Sequence, residues 1–324
     1  MLKDEIEIIF IKNKIKDATL LIAYSGGKDS ACLLNVISKL KKSYNLIIHV
    51  AYVNHNLRDD ESDKEEIFIK EQVSRYHAFL HILRINKNYW INHKNRSIEQ
   101  KARKIRYNYF KRLKIKHKID FILTAHHFDD RIETTLINLL KGSSDESLVG
   151  IPFKRGIIFR PMLNITNAMI KEYIINNNIS YFDDSSNSKN IYFRNKIRNI
   201  LIKDMESIIP HFRSSFKSFY KMIELREEFI KKYLIRIIRT IKISNENNNY
   251  IVNKKKFKLL DKYIRTRIIK IIVKKISGKT FYTKGLFDAV VSENKINYAN
   301  KFISIKESGK TIIIKSNIKP KSNR

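Results

Sequence analysis

The chain has 324 residues, 43% of them hydrophobic, and a formal net charge of +33. That length suits two domains with real cores. A single cysteine, Cys32, excludes a disulfide framework and a cysteine-based metal site, and no apolar run approaches the ~18–20 residues of a membrane span.

Residues 1–17 carry Asp4, Glu5, Glu7 and Asp17 among lysines, with no cleavage-site pattern. They predict an amphipathic helix rather than a leader, so a cytoplasmic protein is expected (stromal or matrix if organelle-encoded). Strands follow at Thr19–Tyr24, Leu46–Val53, Ala78–Ile85 and Asp120–Thr124. Helices are expected at Asp29–Lys41, Glu61–Tyr76, Ile98–Ile115 and Asp129–Leu140. Such alternation predicts an α/β, doubly wound parallel sheet covered on both faces, with ligands at the C-terminal ends of its strands. Ser25–Ser30, Asn54–Arg58 and His126–Glu133 each follow such an end.

Gly142-Ser143-Ser144 and Gly150-Ile151-Pro152 break the alternation, and residues 160–199 close the first domain. A long helical stretch spans Met205–Ile241, with Pro210 as its start or a kink. Asn245–Asn249 is a polar loop. A basic helix, Phe257–Lys275, and a terminal hairpin, Lys301–Ile305 with Thr311–Lys315, come after it. The division expected is 1–205 and 206–324, the second smaller and mainly helical. Residues 201–324 carry 30 basic and 10 acidic side chains, against 35 and 22 in residues 1–200. AT-rich coding inflates lysine but does not explain so few acids; the surplus fits a polyanion surface.

Tyr24-Ser25-Gly26-Gly27-Lys28-Asp29-Ser30 runs from strand to helix. Backbone N–H groups and a helix N-terminus converge on an anion in that geometry. Glycines allow close approach, and the hydroxyls of Ser25 and Ser30 add donors. An ordinary glycine turn is the bland reading, and the order is not the GxxxxGK[ST] loop. Asp129, Asp130 and Glu133 open a helix, the last two on one face. They either hold Mg²⁺ beside a phosphate chain or compensate the helix N-terminus. Glu133 or Asp130 could instead take a proton from an amine. His126-His127 lacks a second nitrogen or thiolate cluster at zinc spacing, so no zinc partner is expected. Glu99 and Arg103, at i,i+4, could be only a solvated ion pair.

The Ser-Gly-Gly-x-Asp-Ser order resembles the pyrophosphate loop of the N-type ATP pyrophosphatases. Four further segments extend the likeness: Val53–Arg58, Glu99–Tyr107, Thr124–Thr134, and Asp184–Asn187 with Tyr192–Arg198. In that order they resemble the tRNA(Ile)-lysidine synthases over roughly residues 19–200. The chain departs from that pattern where Asn54 and Asn56 replace a common His and Gly.

The resemblance implies an ATP-binding catalytic domain, residues 1–205, and a basic tRNA-binding domain, residues 206–324. It implies a ligase that adenylates the wobble cytidine of the CAU-anticodon isoleucine tRNA and replaces AMP with free L-lysine. Ser25, Gly26, Gly27, Lys28, Asp29, Ser30, His55, Arg58 and His126 would then contact ATP. Asp130 and Glu133 would hold Mg²⁺ or the lysine amine. Arg103 and Arg106 would contact phosphate or cytidine, and Asn187, Arg194, Asn195 and Arg198 the tRNA. A tRNA 2-thiolation enzyme shares the adenylation, yet ordinarily needs catalytic or cluster-holding cysteines. Ammonia-using synthetases have no use for so basic a C-terminal third. A non-catalytic RNA-binding protein would not retain the intact loop and carboxylates.

Overall fold

A computed structural model describes residues 2–56, 59–91, 98–182, 193–241, 243–246, 249–277, 283–292 and 296–317. The chain divides into two compact units, Met1–Tyr220 and Lys221–Arg324.

The first unit runs α1 (Leu2–Lys12), β1 (Thr19–Ala23), α2 (Lys28–Leu40), β2 (Ile47–Asn54), α3 (Asp59–Ser74), β3 (Phe79–Arg84), α4 (Lys87–Ile91), α5 (Ile98–Lys116), β4 (Phe121–Thr124) and α6 (Phe128–Leu140). Two-residue strands β5 (Lys154–Arg155) and β6 (Ile158–Phe159), then α7 (Asn167–Asn176), α8 (Phe193–Lys196) and α9 (Ile202–Ile208), complete it with the start of α10 (Phe212–Thr240). The sheet order is β3-β2-β1-β4-β6-β5, parallel except for β5.

Side-chain alternation along β1 explains the two-sided core. Leu20 and Ile22 join Leu33, Leu34 and Ile37 of α2 on one face. Leu21 joins Phe110 and Leu113 of α5 on the other. Strand order reverses between β1 and β4, which opens a crevice beyond their C-terminal ends. The long helix expected over Met205–Ile241 is two helices. Pro210 has no N–H to continue α9, so the chain breaks before α10. Phe212 and Tyr220 of α10 are buried with Phe128 and Ile132 of α6.

The second unit contains the remainder of α10, β7 (Ser244–Glu246), β8 (Asn249–Asn253), α11 (Lys254–Lys258), α12 (Lys262–Ser277), α13 (Lys284–Val291), β9 (Asn297–Ala299), β10 (Ile303–Ser308) and β11 (Thr311–Ser316). The expected terminal hairpin is β10–β11, but it lies within a five-stranded antiparallel sheet, β7-β8-β11-β10-β9. The stretch expected as a polar loop, 245–249, instead supplies Asn245 and Glu246 to β7 and Asn249 to β8. Phe257, Ile268, Ile272, Leu286, Ile305 and Ile314 form the core of this unit.

Candidate active site

The Ser25–Ser30 loop joins β1 to α2 at the crevice. Its turn is closed from within: Ser25 N–H donates to Ser30 Oγ at 3.2 Å, and Ser30 Oγ donates to the Gly27 carbonyl at 2.9 Å. Gly26 has φ +78°, a left-handed conformation that favours glycine. Lys28 turns sideways, its ammonium 2.5 Å from Asp29 Oδ1 and 2.7 Å from Asn167 Oδ1.

A cavity of about 440 Å³ opens over this loop. It gathers Ser25, Asp29, Ser30, His55, Arg103, Arg106, His126, Asp130 and Arg194 from elements scattered along the chain. Gly26, Gly27, Lys28, Glu133, Asn195 and Arg198 do not line it. Arg58 and Asn187 lie outside the described residues, as do Asp184, Ser185, Ser186 and Tyr192.

His55 sits just past β2, its carbonyl accepting from Trp90 Nε1 at 2.7 Å. Asn56 beside it has φ +49°, and its N–H donates to Asn54 Oδ1 at 2.8 Å. The two asparagines thus build an Asx turn, and asparagine tolerates the left-handed conformation better than other side-chain-bearing residues. That accounts physically for Asn56 at a left-handed turn position. Burial, then Arg106, depresses the His55 imidazole to about 4. His126 is also pushed to about 4, chiefly by burial, with Asp130 opposing and Arg160, Arg103 and Arg194 adding to the shift. Both rings are therefore neutral at pH 7.

The three carboxylates of α6 have different partners. Asp129 is closed off: Oδ1 accepts from Arg213 Nε at 2.8 Å, and Oδ2 from the Asn167 N–H at 2.9 Å. Asp130 lines the cavity, with Oδ2 accepting from the His127 N–H at 3.1 Å and Oδ1 from Arg198 Nη2 at 3.3 Å. Burial would raise its carboxyl, yet His127, His126 and Arg198 outweigh burial and hold it below the ordinary value. Glu133 is 1% exposed and gripped by a fork, Arg198 Nε at 2.5 Å and Nη2 at 3.0 Å. Arg194 Nε stands 3.3 Å from its second oxygen. Burial still dominates and raises Glu133 above the ordinary carboxylate range. Asp29 Oδ2 and Asp130 Oδ2 approach one atom, His127 Nε2, at 3.7 and 3.5 Å. Asp29 and Asp130 thus meet at His127 on a cavity wall that Glu65 also lines.

Two contributors escaped the sequence reading, and a third, Tyr107, was given no role there. Arg160, 3% exposed and anchored by Nη1 on the Pro152 carbonyl at 2.7 Å, follows β6, a strand too short to leave a periodic signal. Glu65 lines the cavity from α3, whose charged residues looked like ordinary surface, and Tyr107 lines it from α5 beside Arg103 and Arg106. Only the strand-end rule would have pointed to Arg160.

A glycine loop at the switch point of a parallel sheet, its Ser25, Asp29 and Ser30 sharing a cavity with neutral imidazoles and arginines, fits a nucleotide-binding site of the PP-loop class. A family model described as a PP-loop domain matches residues 2–205. The tRNA(Ile)-lysidine synthase of Clostridium perfringens is 31% identical over 323 residues, covering 95% of this chain and 68% of that protein. The Bacillus subtilis tRNA(Ile)-lysidine synthase is 28% identical over 300 residues, covering 91% and 61%. The chain belongs to the tRNA(Ile)-lysidine synthase family. Among solved structures, the U34-tRNA thiolase NcsA from Methanococcus maripaludis, with its 4Fe-4S cluster, shares the fold at a TM-score of 0.57 and 17% identity. That match covers 69% of this chain and 78% of that one.

Proposed function

We propose that this chain forms lysidine: it adenylates the wobble cytidine of the CAU-anticodon isoleucine tRNA with ATP, then replaces AMP with free L-lysine. In the first step the O2 of cytidine attacks the α-phosphorus and pyrophosphate leaves. In the second the lysine ε-amine attacks carbon 2, and AMP departs with that oxygen. The observation that carries this reading is one cavity lined by Ser25, Asp29 and Ser30 of the glycine loop together with three arginines, two neutral histidines, Glu65 and Asp130.

Charge builds on the α-phosphate and the leaving pyrophosphate, so preorganised donors dominate such catalysis. The Ser25–Ser30 loop and the N-terminus of α2 supply donors for phosphate oxygens. Arg103, Arg106 and Arg194 line the wall and supply cations. The ionised Asp130 carboxylate faces the cavity and can hold the incoming ammonium and accept its proton. Glu133 acts through Arg198, which it orients toward Asp130. A Mg²⁺ would neutralise phosphate charge, and the donors that fit it are Asp29 and Asp130, because Arg198 occupies both Glu133 oxygens.

The second unit is assigned to gripping tRNA through phosphate contacts, which position an RNA without reading it. Exposed Lys255, Lys256, Lys274 and Lys275 are its candidates. Thiolation has no support in the chemistry of Cys32, which is fully buried and pushed up to about 12 by burial. The deciding experiment incubates the protein with ATP, labelled lysine and a transcript of the CAU isoleucine tRNA. Label in RNA, with AMP and pyrophosphate released, is expected. ADP as the tRNA-dependent product would refute the reading.

A further inference from the structure

Away from the cavity, His49, His81 and His117 converge from three separate elements. His49 is the third residue of β2, while the cavity begins toward that strand's other end. His81 lies in β3 and pairs with Ala51, so it shares a sheet face with His49. His117 follows the last residue of α5, the helix covering that face. One ligand atom from each ring falls within 4.8 Å of the other two.

The rings are arranged for more than packing. His49 Nδ1 is 2.8 Å from His81 Nε2, with the ring planes 7° apart. Stacked rings cannot approach that closely, so the contact runs in the ring plane, nitrogen to nitrogen. The His117 ring tilts against both at 39° and 40°, with centroids 4.9 and 4.5 Å away. Its Nε2 is buried and finds no hydrogen-bond partner. A buried polar atom left without a partner is costly, and a metal ion would satisfy it. Phe79 stacks on His49 and shields one side.

We propose that His49, His81 and His117 bind one divalent transition ion, of the Zn²⁺ class, with solvent completing its coordination. Three imidazoles select Zn²⁺, Cu²⁺ or Ni²⁺ and disfavour Mg²⁺ or Ca²⁺. Metal–nitrogen distances of about 2.0–2.1 Å would require the three nitrogens, now within 4.8 Å of one another, to spread evenly around the ion. His81 and His117 are partly exposed and free to make that adjustment. Ligating histidines must be neutral. Burial lowers His49, and burial, then the adjoining His117 and His49 imidazoles and Lys116, holds His81 near 4. Lys116 lies near His81, and its charge costs some affinity for a cation. The bound ion would tie the end of α5 to β2 and β3.

The test uses the full chain stripped with chelator and titrated with Zn²⁺ by calorimetry. One saturable ion per chain is expected, with Kd at or below about 1 µM, and a higher melting temperature on loading. Co²⁺ should give visible d–d absorption. His81→Gln and His117→Gln, each at a partly exposed position, should weaken binding at least about tenfold and abolish the Co²⁺ spectrum. His211→Gln, at an exposed residue, should change neither. Absence of saturable binding up to about 100 µM, or binding that both variants leave intact, would overturn the site and leave a packed imidazole cluster. If one variant fails to fold, the other and the wild-type Co²⁺ spectrum decide the matter.

Discussion

Gly26 and Gly27 stand side by side, yet only one is needed by the fold. A Cβ on Gly26 would meet Ile69 Cδ1 at 3.2 Å in a backbone already at φ +78°. Gly26→Ala should therefore cost on the order of 1–2 kcal/mol, read as a lower melting temperature together with lost AMP formation. A Cβ on Gly27 meets only Ser25 Oγ, at 3.7 Å. Gly27→Ala should melt like the wild type and yet fail to release AMP, because its methyl would occupy space that phosphate needs. Normal activity in that variant would remove the phosphates from Gly27. Cys32→Ala should retain lysine transfer at a packing cost of about 1 kcal/mol. The carboxylates separate in the same way. Asp130→Asn should cut the rate by orders of magnitude with little change in melting. Glu133→Gln should lower both, since it leaves the Arg198 fork half unpaired inside the protein. Equal melting temperatures for the two would show that Glu133 has no positioning role.

At the scale of elements, Glu66 of α3 shows how packing shapes the wall of the site. It accepts from Arg84 Nε at 2.8 Å, pairs with Lys70 at 2.9 Å and receives Asn54 Nδ2 at 3.4 Å. One carboxylate thus ties the ends of β2 and β3 to α3 beneath the His55 turn. Arg84 foremost, then Lys70 and Asn54, outweigh burial and hold Glu66 near 2. A folded value below the unfolded one means stability present above about pH 4.5 and lost as pH falls toward 2. Screening by solvent at the exposed Arg84 limits this to roughly 1–2 kcal/mol. Glu66→Gln should flatten the melting temperature between pH 5 and pH 3; an unchanged acid slope would show that other groups carry it. The helices and strands around this network were legible in sequence because β-branched runs alternate with amphipathic stretches. The network was not: Glu66, Arg84 and Asn54 belong to different elements, and no spacing along the chain joins them. The three-histidine cluster was hidden for the same reason. Strands β5 and β6 were too short for a pattern. The sheet of the second unit was concealed by a polar stretch that resembles a loop until it pairs.

Over the whole molecule, +33 reads as a single electrostatic footprint, but burial divides it. Arg267 is 6% exposed and forked onto Glu227 at 2.8 and 3.2 Å. Arg265 and Lys270 are buried as well. Lys254 and Lys258 close on Glu307 at 2.7 and 2.9 Å. These cations hold the second unit together, so counting them as a tRNA grip would overstate it. Replacing Lys255, Lys256, Lys274 and Lys275 with alanine tests the exposed remainder without touching the core. The melting temperature should stay close to that of the wild type. Affinity for the isoleucine tRNA should fall, and the log–log salt slope should flatten by up to about 0.7–0.9 for each phosphate no longer neutralised. ATP turnover by the first unit should still saturate at the same ATP concentration. Arg267→Ala should behave in the opposite way, leaving the buried Glu227 with Arg226 Nη2 on one oxygen at 3.2 Å and without the Arg267 fork, at a cost of up to about 3–5 kcal/mol, and destabilising the unit rather than changing its salt slope. Unaltered tRNA affinity and slope in the quadruple variant would mean that these lysines reflect coding composition and that the RNA is held elsewhere.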